Sequence, residues 1–293
     1  MDFNDIKENN TCSKFDINKA KDIFEQIENA IKNNVGPIVN LINEDNKLFA
    51  DNLTYGKLIE TIERLKKELW YLEKKSKSLL IEGIGNLGVI YNGNTEVLLY
   101  LSLKALKTHN NIVFFENDIG KKANEYIIKI INNILEVNNY QTIISIEYIK
   151  NEKEISDYQN YFNAFICIGQ IDKFDKFKKN IKKDIIYSAY GTLSLYMDDK
   201  ELKNELLNMD EYIFKNNLYL DLYKDDDVRD VIEKINQKGE NFCTVIFTKD
   251  IKKAYYFLEN VDSQNVYINK NPFNNYAFYL DDIKIIKTKN III

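Results

Sequence analysis

Apolar residues recur along this chain with two different spacings, and the change from one to the other divides it. From Phe15 to Lys32 they fall at Ile17, Ala20, Ile23, Phe24, Ile27 and Ile31, which is helical spacing, with Asp16 placed to cap the first turn. Gly36 and Pro37 interrupt the pattern. A second helix is expected from about Pro37 to Asn46, and a third from about Tyr55 to Lys77, carrying Leu58, Ile59, Ile62, Leu65, Leu69 and Leu72. Residues 1–12 read as a frayed end.

Further on, short apolar runs alternate with helical stretches. GVIYNG (88–93), NIVFFEND (111–118), TIISIEYI (142–149) and NAFICIGQ (163–170) read as strands, and residues 95–111, 120–136 and 172–181 as helices. DIIYSAYGTLSLYMDD (184–199) reads as a strand pair. A second series follows, with strands at 218–226, 242–250 and 265–270 and helices at 228–239 and 251–261. Strands alternating with helices of this length imply parallel sheets joined by crossover helices. Apolar runs without clean alternation fit strands covered on both faces. The tail, Tyr276–Ile293, alternates and is expected to be an edge strand or a paired arm. The fold class is therefore α/β, with a helical N-terminal region and a parallel sheet in residues 1–200. A smaller α/β domain in 201–270 and a C-terminal arm in 271–293 complete it.

Composition narrows the function classes. Apolar residues make up 45% and charged residues 29%, which excludes disorder. No run of ~18 apolar residues occurs, so no membrane span is expected. The start, MDFNDIKENNTCSKFD, does not read as a secretory signal. The net charge is −5 and the arginines are Arg64 and Arg229 alone, a balance that argues against a nucleic-acid partner. Cys12, Cys167 and Cys243 are far apart and lack CxxC spacing, which points to a reducing, cytoplasmic setting without a zinc site. His109 is the single histidine, so a multi-histidine metal site is excluded, and it reads as an exposed loop residue. The run Asp225–Asp227 reads as a helix cap rather than a Mg²⁺ site. Abundant Asn and Lys, beside 2 Pro and 10 Gly, look like the coding bias of an AT-rich genome and carry no functional signal.

Three strand-to-helix turns are the candidate chemistry. They are Tyr91-Asn92 with Gly93, the strand end at Glu116, and Gly169-Gln170. In a parallel sheet such turns share the carboxyl edge, where nucleotides bind and helix N-termini offer N–H groups to phosphate. Glu116 is placed to accept hydrogen bonds from ribose hydroxyls. The alternative is ordinary loop chemistry, because Gly and Asn close such turns everywhere and no GxGxxG is present.

The segment NLGVIYNGNTEVLLYLSLKALKTHNNIVFFEND (86–118) resembles the cofactor-binding core of the aldehyde dehydrogenase superfamily. NAFICIGQ sits at that family's FTGS-like turn, and DIIYSAYGTLSLYMDD resembles the stretch after the third crossover, most of all in the γ-glutamyl phosphate reductase (glutamate-5-semialdehyde dehydrogenase) branch. The late segment, with FTKD at 247–250 and VDSQNVYIN at 261–269, resembles the family's fT-x-D and VDS-x-x-VY-x-N motifs. The blocks run in family order over roughly residues 15–275. The resemblance implies an aldehyde-dehydrogenase-like Rossmann-type sheet with a truncated second α/β domain, an NAD cofactor held by Tyr91, Asn92, Glu116, Gly169 and Gln170, and a homodimer paired through the tail.

The departures bear on activity. Fewer than twenty residues separate Asp199 from Leu218, where the family carries its nucleophile, and none is Cys or Gly. No position matches that cysteine, so the catalytic residues are unassigned. The general-base ELGG reads Ser188-Ala189-Tyr190-Gly191, and Glu116-Asn117-Asp118 replaces the ribose lysine run. The expectation is a pseudoenzyme that retains nucleotide binding or serves as an interaction module. The alternative is an active NAD(P)-dependent aldehyde or acyl-phosphate oxidoreductase, with Cys167 or Cys243 as a relocated nucleophile.

Overall fold

A computed structural model describes residues 16–45, 55–67, 79–91, 93–116, 120–149, 152–168, 181–189, 192–198, 220–224, 227–238, 241–263, 265–269 and 284–290. Two compact units are distinguished. One takes in residues 1–168, 176–188 and 277–293, and the other 169–175 and 189–276.

In the first unit, α1 (Ile17–Asn33), α2 (Val35–Asp45) and α3 (Tyr55–Lys67) match the three expected helices. Asp16 caps α1 by accepting from the Asn18 and Lys19 backbone N–H groups. Residues 68–77 of the third expected helix lie outside the described residues. A five-stranded sheet follows, made of β2 (Asn86–Ile90), β3 (Asn111–Glu116), β4 (Ile144–Tyr148), β5 (Ala164–Ile168) and β6 (Asp184–Ala189) in the order β4-β3-β2-β5-β6. The β2–β3, β3–β4 and β2–β5 pairings are parallel. Helices α4 (Thr95–Thr108), α5 (Lys121–Val137) and α6 (Glu152–Tyr158) make the crossovers. The helix expected at 172–181 lies outside the described residues.

Both faces of this sheet are covered. Leu87, Val89, Ile112, Phe114, Ala164 and Ile166 share one hydrophobic core with α1, α4 and α5. The alternate residues Gly88, Val113, Phe115, Phe165 and Cys167 are also buried. Period-2 alternation is erased when both faces are apolar, which is why the sequence shows continuous runs.

All fourteen residues of α4 are buried, its polar ones included. Burying a polar group without a partner costs about 1–3 kcal/mol, and the long polar side chains of α4 have one. The Thr61 hydroxyl donates to Glu96 Oε1 (2.8 Å), Lys104 Nζ to the Tyr100 hydroxyl (3.0 Å) and Lys107 Nζ to the Leu65 carbonyl (2.6 Å). The Arg64 guanidinium lies 5.1 Å from the Tyr100 ring centroid.

The amino edge of the sheet is held by asparagines. Asn163 Oδ1 accepts from Asn86 N, Asn111 Nδ2 donates to Asn86 Oδ1, and Asn110 bridges the Gly85 N–H, the Thr108 hydroxyl and the Ile285 carbonyl. Residues that look like compositional bias are here structural: a short amide satisfies several backbone groups at once.

His109 is a half-buried C-cap in the left-handed region (φ 52°), with its ring edge-on to Tyr140, rather than an exposed loop residue. Burial pushes its pKa down. The unfolded value is near 6.5, so the folded chain binds fewer protons and stability falls as pH drops below about 6.5. His109→Asn tolerates the same backbone conformation. It is expected to flatten the dependence of the melting temperature on pH between about 7 and 5, and an unchanged slope in thermal melts would count against this role.

In the second unit, β7 (Thr192–Met197), β8 (Leu220–Lys224), β9 (Asn241–Phe247) and β10 (Asn265–Ile268) form a sheet in the order β10-β9-β7-β8, and all its pairings are parallel. Helices α7 (Val228–Lys238) and α8 (Ile251–Asn260) bury Val231, Ile235 and Phe257 against Tyr196 and Ile246. The stretch 184–199 is corrected here. It does form two strands, but β6 belongs to the first sheet and β7 to the second. Two apolar runs joined by two residues read alike whether they pair with each other or with different neighbours.

The chain also has β1 (Leu79–Gly83), an LLIEG run that the sequence reading passed over. It pairs antiparallel with β11 (Ile286–Asn290), so the described part of the tail is paired within its own chain. Ile291–Ile293 lie outside the described residues. Among the described residues, no helix is long and apolar enough to cross a membrane.

Candidate functional site

The order β4-β3-β2-β5-β6 means that the chain leaves β2 in one direction and returns to it on the other side as β5. The carboxyl ends of β2 and β5 therefore flank a topological switch point, the position where doubly wound sheets bind ligands. Tyr91 directly follows β2, Glu116 is the last residue of the adjacent β3, and Ile168 ends β5 on the other side. The three expected turns thus begin on one sheet edge. Asn92, Gly169 and Gln170 lie outside the described residues, as does the side chain of Glu116.

Two of the turns are locked to each other. Gly93 (φ 80°) and Gly120 (φ 75°) adopt left-handed conformations that cost other residues energy. Asn124 Nδ2 donates to the Gly93 carbonyl (2.9 Å) and to the Tyr91 hydroxyl (3.3 Å). The Tyr91 ring packs edge-on against Phe114 at 5.4 Å and is 6% exposed. Tyr91 is thus a core side chain that fixes the turn, and what it can offer a ligand is backbone.

The two helix N-termini at this edge differ. The N-cap of α4 is Asn94, whose Oδ1 accepts from the Glu96 and Val97 N–H groups, and the Glu96 carboxyl sits buried in the first turn. That end is satisfied from within, and it carries a carboxyl where a phosphate would need positive potential. The N-cap of α5 is Gly120, which makes no side-chain cap, and the first turn of α5 holds no acid. Of the two described ends, that of α5 fits an anionic group.

Cys167 and Cys243 both lie inside strands. Cys167 is 1% exposed inside β5, opposite Ile90, and burial pushes its thiol up far beyond the ordinary range. Cys243 is 2% exposed inside β9, opposite Leu193 and Asn265. Neither thiol is accessible to a substrate, and that of Cys167 is held protonated. Among the described residues, no group of three or more His, Cys, Asp or Glu is placed to hold a metal ion. Asp227 Oδ1 accepts from the Arg229 N–H, the capping role expected for the acid run; Asp225 and Asp226 lie outside the described residues.

The second sheet has its own switch point, between β7 and β9, and a polar network that sequence reasoning missed. Asp198 follows β7. Its carboxylate accepts from Lys253 Nζ (2.6 Å), the Thr248 hydroxyl (2.7 Å) and the Tyr196 hydroxyl (3.2 Å). Burial opposes ionisation of Asp198, but the hydrogen bonds from Lys253 and Thr248 outweigh it and hold the carboxyl below its usual range. The Asp198 carboxylate in turn raises the Lys253 pKa. Asn269, in the left-handed region, accepts from the Thr248 N–H and donates to the Thr248 carbonyl. Asp250 caps α8. The signals were the fT-x-D and VDS-x-x-VY-x-N motifs themselves. Their Thr, Asp and Asn lock the strand ends and the helix cap, which is a structural task.

No family model and no curated protein matches the chain. Solved structures do. The γ-glutamyl phosphate reductase of Thermotoga maritima superposes with a TM-score of 0.56 at 14% identity, over 91% of this chain and 85% of that one. A glyceraldehyde-3-phosphate dehydrogenase from Methanocaldococcus jannaschii, complexed with NADP, gives 0.70 at 15% identity over 99% and 93%. A propionaldehyde dehydrogenase from a Clostridium phytofermentans bacterial microcompartment gives 0.69 at 10% identity over 99% and 96%. Identities this low speak for architecture alone, and on that ground the chain has the α/β fold that these reductase and dehydrogenase structures share.

Proposed function

We propose that the chain is a dinucleotide-binding protein of this fold that lacks thiol-dependent dehydrogenase chemistry, works in the cytoplasm and pairs with a second copy of itself. The observation that supports binding is the strand order, which brings the ends of β2, β3 and β5, at Ile90, Glu116 and Ile168, to one sheet edge beside the switch point; in this reading Tyr91, Asn92, Glu116, Gly169 and Gln170 hold the dinucleotide there. In this reading the end of α5 faces phosphate and Glu116 faces the adenosine ribose. A 2′-phosphate near Glu116 is repelled, so NAD binds better than NADP. The burial of Cys167 and Cys243 supports the absence of a relocated nucleophile, since attack needs an exposed thiolate about 3–3.5 Å from the carbonyl carbon.

One set of measurements tests this. Fluorescence titration with NADH and NADPH is expected to show tighter NADH binding, and Glu116→Gln to narrow the ratio by roughly tenfold. No NAD(P)-dependent turnover of aldehydes or acyl phosphates is expected. The reverse cofactor order would remove Glu116 from the site. Turnover abolished by Cys167→Ala or Cys243→Ala would establish the active oxidoreductase instead.

A further inference from the structure

Helix α8 buries one side and leaves an apolar stripe along one flank, about 100° round from the buried side. Ala254 and Phe257 face the core of the second unit. Ile251 (69% exposed), Tyr255 (58%) and Leu258 (43%) stand outside it. At about 100° per residue, these three fall within about 60° of one another. Three large apolar side chains aligned on one helix face differ from singly scattered ones, which are ordinary. Along one flank of the stripe run Lys252 and Glu259, both exposed. Neither side chain has a hydrogen-bond or ion-pair partner among the described residues.

We infer that this face of α8 docks onto the same face of a second copy, the two helices running antiparallel about a two-fold axis through Tyr255. The charge pattern selects this occupant. A two-fold axis perpendicular to an antiparallel helix pair keeps each flank on its own side and reverses its direction. Lys252 lies three residues before Tyr255 and Glu259 four residues after it. The operation therefore brings Lys252 of one copy to within about one residue rise, roughly 1.5 Å along the axis, of the level of Glu259 of the other, on the same flank. Two identical ion pairs then bracket the apolar stripe. An unrelated partner would have no need of a flank that is its own complement.

The tail points the same way, since the described part of it is satisfied by β1 within its own chain. A ten-residue helix spans about 15 Å, well short of the roughly 800 Å² per partner of a standard interface. The α8 pairing is therefore weak and concentration-dependent. The inference rests on the self-association proposed above and moves its surface from the tail to α8.

Sedimentation equilibrium of the full chain from micromolar to millimolar concentration tests it. A reversible monomer–dimer equilibrium is expected. Tyr255→Glu should abolish it. Lys252→Glu and Glu259→Lys should each weaken it by roughly tenfold, and the double variant should return to within about twofold of the original, because the pairs re-form with their signs exchanged. All these positions are exposed, so the melting temperature should hold; Lys252→Gln and Glu259→Gln replace any variant that misfolds. A double variant no better than the singles overturns the antiparallel geometry. A dimer indifferent to every α8 substitution overturns this surface and leaves the pairing itself standing. A chain that stays monomeric throughout overturns both and assigns the stripe to a different protein.

Discussion

Gly88→Ala is expected to destabilise the first unit by about 1–3 kcal/mol, the usual cost of forcing one methyl into a filled core. Gly88 lies in the middle of β2, directly opposite Phe165 on β5 and Val113 on β3. A Cβ there would overlap Phe165 Cε1 and lie 2.6 Å from its Cδ1 and 3.2 Å from Phe115 Cε2. The Phe165 ring cannot swing away freely, because Phe162 packs against it at 5.3 Å and Phe115 packs against Phe162 at 5.5 Å. The strain is thus specific to one ring. Phe165→Leu should cost stability by itself yet remove most of the additional cost of Gly88→Ala, giving a coupling energy of about 1 kcal/mol or more in a double-mutant cycle. Denaturant unfolding of the four proteins measures it, and strictly additive effects would show that the glycine is there for another reason.

Gly120→Ala is expected to be the more damaging change, at about 2–4 kcal/mol. The backbone at Gly120 is left-handed, which costs an alanine about 1–2 kcal/mol. Its Cβ would also lie 2.5 Å from the Gly93 carbonyl oxygen, a backbone atom that cannot rotate aside. That carbonyl accepts the Asn124 hydrogen bond, so the substitution pries apart the two turns at the carboxyl edge. The melting temperature should fall by roughly 4–8 °C, on the order of 2 °C per kcal/mol for a chain of this length. NADH affinity, measured below the transition, should fall more than it does for Gly88→Ala, whose strain lies away from the turns. Gly36→Ala is the control: nothing lies within 4 Å of its Cβ, and an alanine within α2 is expected to be neutral or stabilising by about 0.5–1 kcal/mol. If Gly120→Ala melts like Gly36→Ala, the two turns are not coupled as described.

Most of the secondary structure was legible because its causes are local. The spacing of Ile17 to Ile31, the cap at Asp16 and the strand–helix alternation from β2 to β5 each need only neighbours along the chain. The candidate edge was legible too, since parallel topology alone puts the turns after β2, β3 and β5 on one side. What lay within that edge was not. Tyr91 looked available to a ligand and proved to be core, because its partners Phe114 and Asn124 are distant in sequence. The end of α4 looked open to phosphate and proved to be filled by Asn94 and Glu96.

The sequence by itself determined the α/β class and the alternation of helices and strands from β2 to β10, because period and propensity act within one turn or one strand. It determined as well that Cys167 and Cys243 lie in apolar strand runs. The tertiary structure alone decided which strand joins which sheet. It parted β6 from β7, paired β11 with β1, and drew Asp198, Thr248, Lys253 and Asn269 into one network from four separate segments. The reason is physical. A strand's sheet partner is selected by which apolar face it covers and a buried polar group's partner by desolvation, and both are set by residues far away along the chain.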